Sequence, residues 1–203
     1  MAIYHPNNPF ARYADDAVIH CKTEDEAKKL HEALNLRMNE CKLELHPIKT
    51  KIVYCKDADR KGHYENIAFD FLGYTFRPRL SKNRWGKHFV NFTPAISNKS
   101  KKSIRQKVRE WKLQLKADKE LLDLSKMFNS AIKGWINYYG KFYKSEMYAS
   151  LRHINKALII WARRKYKRLA RHKKKAEQFL GRIAKQNPRL FKHWDIGIVP
   201  TAE

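Results

Sequence analysis

The feature that most constrains the fold is a change in charge and hydrophobic spacing around residues 94–97. Residues 1–96 carry 16 Lys and Arg against 12 Asp and Glu, whereas residues 97–203 carry 28 against 8. In the second part, apolar residues recur at steps of three and four, the spacing of the buried face of an amphipathic helix. The first part favours a hairpin, a helix and further strands. We therefore predict an α+β chain with a mixed domain at 1–96 and a basic helical domain at 97–203.

The overall composition favours a polyanionic partner. The net charge is +24 and the isoelectric point is about 10, which points first to nucleic acid. The longest clearly apolar stretch, Ala157–Ala162, is far too short to cross a bilayer, and we expect a cytoplasmic protein with no membrane partner. The three cysteines are widely spaced and the nine histidines are scattered, so neither a zinc site nor a disulfide scaffold is indicated.

Two adjacent carboxylates, Asp15 and Asp16, lie between apolar runs near the start of the chain. The pattern predicts strand, two-residue turn, strand, because consecutive side chains inside one strand would point to opposite faces. At a turn both carboxylates can approach one point, where a divalent cation would relieve their repulsion. Mg²⁺ takes oxygen ligands of this kind, as two-metal nucleotidyl transfer requires. The alternative is an ordinary solvated turn.

The segments that follow the carboxylates predict a helix and two strands. Thr23 and Glu26 form a capping box, and the helix that it opens has apolar positions at steps of three and four up to Cys41. Residues 43–45 and 49–55 are predicted to be strands, separated by a break at His46-Pro47. Residues 69–76 predict a hairpin-like aromatic stretch, in which Gly73 allows another backbone to approach closely. The alternative for this stretch is a strand buried on both faces.

The basic part predicts a bundle of three or four helices. The apolar stripes run from Ile104 to Leu115, from Leu124 to Tyr139 with Gly140 as the stop, and from Met147 to Trp161, and a short helix covers 176–187. We expect the tryptophans of these stripes in the core. The cations outside the stripes are either a solvated face or contacts to RNA phosphates. The predicted RNA-binding residues are Lys101, Lys102, Arg105, Lys112, Arg163, Arg164, Lys167, Arg168 and Arg171.

Several motifs in order resemble those of group II intron reverse transcriptase/maturases, over about residues 6–199. Arg-Tyr-Ala-Asp-Asp at 12–16 resembles the polymerase signature, and Leu43–Thr50 resembles the palm motif that follows it. Phe69–Phe76 resembles the primer grip. Gly134–Gly140 and Leu190–Trp194 with Gly197 resemble the maturase-specific domain, which also serves as the thumb.

The resemblance implies the end of a polymerase palm followed by a thumb/maturase bundle. Asp15 and Asp16 would be catalytic ligands of Mg²⁺, and Lys49 would lie near the incoming triphosphate as a proton donor. Phe71, Leu72, Gly73 and Tyr74 would form the primer grip. The implied partners are group II intron RNA, and an RNA template with a DNA primer.

In the family, fingers and a third metal-binding Asp precede the carboxylate hairpin. We therefore expect the C-terminal portion of such a protein, inactive alone as a polymerase, which binds intron RNA to support splicing. In the complete protein it would also take part in RNA-directed DNA synthesis. The alternative is a split RNA-directed DNA polymerase, active only with a separate N-terminal chain that supplies fingers and palm. A generic basic RNA-binding protein is a third reading.

Overall fold

The computed structural model describes residues 7–60 and 62–200, so residues 1–6 of the predicted palm part lie outside the described residues. The chain divides into two compact units. One runs up to Phe71 and takes in Arg77–Phe92, and the other comprises Leu72–Phe76 and the chain from Thr93 onward. Small antiparallel sheets and α-helices confirm the α+β class. The functional boundary between residues 96 and 97 stays a prediction.

The first unit opens with the predicted hairpin, shifted by one residue. Strand β1, Phe10–Tyr13, pairs with β2, Asp16–Ile19, and Tyr13 lies opposite Asp16. The turn is therefore Ala14-Asp15, and Ala14 takes a left-handed φ of 49°. Asp15 lies in the turn, whereas Asp16 is the first residue of β2.

Helix α1, Glu24–Glu40, begins where the capping box predicts. The Thr23 hydroxyl accepts from the Glu26 amide at 3.2 Å, and the Glu26 carboxylate accepts from the Lys22 amide at 2.6 Å. Leu30 on its inner face is the one buried apolar side chain among the described residues of the first unit. The hydrophobic core of this unit is therefore very small.

The strands predicted at 43–45 and 49–55 do not form, and that prediction is wrong. Leu43 and Ile48 are exposed, at 59% and 81%, so the apolar pattern here has no core to face. One backbone bond, from the Tyr54 amide to the Asn66 carbonyl at 2.8 Å, tethers the segment, and the Tyr54 and Tyr64 rings lie 4.2 Å apart. A single bond without a continuing ladder leaves the segment irregular.

The second sheet has the order β3-β4-β5, built from Phe69–Phe71, Tyr74–Lys82 and His88–Ile96. Strands β3 and β4 are joined by a two-residue turn in which Leu72 and Gly73 both have positive φ, 48° and 78°. This sign of φ matches the twist of a tight hairpin. The hairpin-like stretch predicted at 69–76 is confirmed, because the chain reverses at residues 72–73 and does not continue as one strand.

The described part of the second unit continues with five α-helices: α2 Asn98–Glu110, α3 Leu121–Tyr139, α4 Ser145–Lys165, α5 Lys173–Gln186 and α6 Lys192–Asp195. The predicted stop at Gly140 is confirmed, since a Cβ there would lie 2.3 Å from the Ile136 carbonyl oxygen. The stripe predicted to reach Leu115 ends early. Lys112 turns the chain with φ 46°, so that Leu113 is buried and Leu115 is 65% exposed.

The core of the second unit is centred on α4. Its predicted apolar stripe from Met147 to Trp161 is buried. Trp111 is half-buried and stacks on Phe128 and Trp135, with ring centroids 4.2 Å and 5.6 Å apart. The core positions predicted for the tryptophans of these stripes are thus confirmed, Trp111 and Trp135 at its edge.

A buried polar cluster ties the C-terminal segment to α4. The Asn155 side-chain oxygen accepts from Trp194 Nε1 at 2.9 Å and from His193 Nε2 at 2.8 Å, and its amide donates to the Ile198 carbonyl at 3.0 Å. His193 therefore carries its proton on Nε2, and its buried Nδ1 has no hydrogen-bond partner within the described residues. Burial lowers the pKa of His193 to about 3, because protonation would place an unpaired charge in the core.

We expect acid to destabilise the protein through His193. The unfolded side chain binds a proton below about pH 6.5, whereas the folded one stays neutral down to about pH 3. Between these limits the free energy of unfolding decreases by about 1.4 kcal/mol for each unit by which the pH is lowered. Above pH 6.5 the residue adds no pH dependence. Urea unfolding of the wild type and His193→Gln at pH 7.5 and 5 isolates the effect. The wild type should lose this stability from pH 7.5 to pH 5 and His193→Gln should not, so the difference in unfolding free energy between the two proteins must become smaller at pH 5. A difference that stays constant would contradict a buried, neutral His193.

Candidate nucleic-acid interface

The carboxylate turn is exposed and held by local hydrogen bonds. Asp15 and Asp16 both face solvent. The Arg12 guanidinium donates to the Ala14 carbonyl at 2.9 Å, which braces the turn beside them. The Asn8 amide donates to the His20 carbonyl and to Glu26, each at 3.0 Å, and so links the hairpin to the start of α1.

The carboxylates suit Mg²⁺ in chemistry but do not by themselves complete a site. Hard oxygen donors are the ligands that Mg²⁺ prefers, and two carboxylates with substrate phosphates are a common set. Among the described residues, no cluster of three His, Cys, Asp or Glu side chains could hold a metal. Lys49 lies exposed in the turn at Pro47–Lys49, and no hydrogen bond or ion pair joins it to either carboxylate in the described part of the chain.

Within the second unit, the predicted primer-grip turn is bound to the ends of two helices. The Gly73 carbonyl accepts from the Ser97 amide at 2.9 Å and from the Ser100 hydroxyl at 3.0 Å, at the N-terminus of α2. At the C-terminal end of α3, the Tyr138 hydroxyl donates to the Leu72 carbonyl at 2.9 Å. The turn is therefore fixed by its own backbone carbonyls.

Tyr74, the next residue of the predicted grip, lies in an aromatic cluster. Its ring is 5.5 to 5.7 Å from those of Tyr138, Tyr139 and Phe142, and its hydroxyl donates to the Tyr138 carbonyl. Burial, followed by the neighbouring tyrosines, raises the pKa of Tyr74, so the hydroxyl stays a neutral donor. Phe71 is half-buried, and Leu72 is 36% exposed.

Three of the predicted RNA-binding cations contact other groups of the second unit. Lys101 pairs with Glu146 of α4, and its side chain is 18% exposed. Arg163 donates to the Ala170 carbonyl at 3.0 Å, and the Arg168 guanidinium lies 5.7 Å from the centre of the Phe179 ring.

The remaining six predicted RNA-binding cations are exposed, and their side chains make no ion pair or hydrogen bond within the described residues. These exposed cations are Lys102, Arg105, Lys112, Arg164, Lys167 and Arg171. They are therefore free to meet phosphates.

The predicted cation Arg105 belongs to a group on α2 and α4 whose other members, Arg109, His153 and Lys156, were not among the predicted RNA-binding residues. Burial lowers the pKa of His153, and Arg109, Lys156 and Arg105 lower it further. A neutral histidine is thus surrounded by cations from two helices. The step of four from Arg105 to Arg109 was a usable signal, but the addition of His153 and Lys156 depends on the pairing of α2 with α4.

An open groove of about 560 Å³ lies between the end of α3 and the start of α4. Its lining mixes cations, an amide, an aromatic ring and apolar groups: Ile136, Asn137, Gly140, Lys141, Lys144, Met147, Tyr148 and Ile196. In the loop that borders it, two exposed aromatics, Phe142 at 48% and Tyr143 at 40%, lie between Lys141 and Lys144. That cluster of cations and aromatics was the signal available in the sequence.

No helix in the described part of the chain combines the length and apolar character needed to span a bilayer.

Two family models match the chain. Reverse transcriptase (RNA-dependent DNA polymerase) matches residues 2–76, and Group II intron, maturase-specific domain matches residues 101–179. No curated protein and no solved structure matches it.

Replacing Gly73 with Ala tests the fixed turn. The new Cβ would lie 2.9 Å from the Ser100 hydroxyl, on a residue whose φ is 78°. We expect a loss of at least about 1–2 kcal/mol in unfolding free energy. Gly134→Ala is the matched control, because it lies within α3 with nothing within 4 Å of its Cβ, and should gain up to about 1 kcal/mol. Equal urea midpoints for the two variants would contradict the packing of Gly73.

Proposed function

This chain belongs to the group II intron reverse transcriptase/maturase family, and on that premise we propose that its basic helices bind intron RNA and so support splicing. The observation that carries the proposal is the set of exposed cations on and between α2, α4 and α5. Their side chains are not engaged within the described residues, and residues 97–203 carry a large excess of positive charge. The family's nucleic-acid partner supplies the negative charge that balances them.

The arrangement suits a large folded RNA. Lysine and arginine contacts to phosphates give affinity without reading sequence. A folded RNA is recognised mainly by the shape of its helices, their phosphates and their 2′-hydroxyls. A helical body whose backbone is already ordered presents these cations without refolding, so only their side chains are ordered on binding. The protein would thereby stabilise the active fold of the intron.

We expect binding to a group II intron RNA to weaken steeply with salt. Removing the exposed cations in Arg164→Ala/Lys167→Ala/Arg171→Ala should lower the slope of log affinity against log salt by about 2–3, since each phosphate contact contributes roughly 0.7–0.9. Fluorescence anisotropy from 50 to 300 mM salt measures the slope. Splicing of that RNA at limiting Mg²⁺ should slow in parallel.

The matched control is Lys28→Ala/Lys29→Ala/Arg37→Ala on α1, which removes the same charge. Two of these residues are in ion pairs with neighbouring glutamates, at 2.7 Å each. This variant should keep the wild-type slope. If the two triple variants had equal effects, binding would depend on net charge and not on the position of the cations. Affinity that does not change with salt would refute the proposal.

The second candidate function is RNA-directed DNA synthesis, which the carboxylate hairpin inside the reverse transcriptase match favours. Mg²⁺, which this family generally uses, would stabilise the charge of phosphoryl transfer. Asp15 and Asp16 would hold it, Lys49 would contact the triphosphate, and Gly73 and Tyr74 would position the primer.

Primer extension on an RNA template with Mg²⁺ tests this second function, with the chain alone and with an added chain supplying fingers and palm. We expect extension only in the second case, and its loss in Asp16→Asn, which keeps the size of the side chain but removes its charge. Extension that persists in Asp16→Asn would remove these carboxylates from the chemistry.

A further inference from the structure

The tip of the β4–β5 hairpin carries the most exposed tryptophan of the chain. Trp85 is 75% exposed, whereas Trp161 and Trp194 are buried and the other two are half-buried. Residues 77–100, which include the tip of this hairpin, lie between the two family matches. A ring this exposed adds little to the hydrophobic core of its unit, so its face is available to a ligand.

The tip is held by its own hydrogen bonds. The Asn83 side-chain oxygen accepts from the backbone amides of Trp85 at 3.0 Å and Lys87 at 2.9 Å. The backbone amide of Asn83 donates to the backbone carbonyl of Lys87 at 3.0 Å. The backbone amide of Gly86 donates to the backbone carbonyl of Asn83, also at 3.0 Å. Gly86 takes φ 85°, which closes the turn. The backbone that presents Trp85 is therefore ordered before any ligand arrives.

The Arg84 guanidinium lies 4.0 Å from the centre of the Trp85 ring. A planar guanidinium on an indole is a cation–π pair, and both groups are flat surfaces of the kind on which nucleobases stack. The charge around the pair has one sign. Lys82 and Lys87 flank it, and the sequence contains no Asp or Glu between Asp70 and Glu110.

We propose that Trp85 and Arg84 form a stacking site for an unpaired RNA base, with Lys82 and Lys87 meeting its flanking phosphates. The inference rests on the proposed function, because it assumes that RNA is the partner, and it adds a contact outside the basic helices. Aromatic platforms beside cations are how proteins hold single strands without reading sequence. The uniform positive charge favours a polyanion over an apolar protein surface.

The test uses a single-stranded oligoadenylate of 12 nucleotides and two variants of Trp85 in the full chain. Trp85→Phe keeps an aromatic face, whereas Trp85→Leu keeps an apolar side chain and loses the ring. Stacking of one base is worth about 1–3 kcal/mol, or roughly 5- to 150-fold in affinity. We expect Trp85→Leu to weaken binding within that range, and Trp85→Phe to stay within about threefold of the wild type.

Fluorescence gives a second readout. Acrylamide should quench Trp85 strongly in the free protein, because it is the tryptophan with the greatest exposure. Saturating oligoadenylate should protect it, and Trp85→Phe should show little change in quenching when RNA is added. Circular dichroism confirms that both variants keep the wild-type fold.

The outcomes separate this inference from the function on which it rests. If neither intron RNA nor oligoadenylate binds the wild type, the proposed function fails. If both bind, and Trp85→Leu binds as tightly as the wild type with unchanged quenching, the stacking site is refuted while RNA binding stands. Equal weakening in Trp85→Phe and Trp85→Leu would also refute it, because the effect would not follow the aromatic face.

Discussion

The second unit depends on helix α4 being surrounded. Its apolar stripe fills the core, and three of its polar side chains each bind a different neighbouring segment. Glu146 pairs with α2, Asn155 binds the C-terminal segment, and Lys165 donates to the Ala117 and Lys119 carbonyls and pairs with Glu120 at 2.7 Å. Hydrophobic burial alone does not specify one arrangement of helices, whereas buried polar groups impose a cost on every arrangement that leaves them unpaired.

This requirement divides the cations into two classes. Lys101 and Lys165 form ion pairs with Glu146 and Glu120 within the unit. Each of these positive charges is neutralised by its partner and is not available to a ligand. Arg164 and Lys167 are close to Lys165 in the chain but are exposed, so their field extends into solvent. A basic stretch such as 163–175 is therefore not uniform in function. Charge counts overstate the number of phosphates that such a stretch can neutralise, because part of the charge stabilises the fold.

The helices could be predicted because burial on one face leaves a periodic signal, and the stripes of α3 and α4 appear where the spacing places them. The strands at 43–45 and 49–55 failed, because an apolar pattern predicts a strand only where a core and a pairing partner exist. The position of the carboxylate turn could be predicted to within one residue. The further ligands that would complete a metal site could not be predicted. The class of each cation could not be predicted, since Lys101 and Lys102 differ only in what the packed helices place beside them.

Different interactions order the exposed side chains of the two units. In the helical unit a large core fixes the backbone, and the cations need no further support. In the first unit Leu30 is the only buried apolar residue among those described, so hydrophobic packing cannot hold an exposed aromatic in place. There the Asn83 side chain does so through two backbone amides. A ligand that stacks on Trp85 then pays little to order the tip, and stacking, unlike phosphate contact, keeps its strength as salt rises.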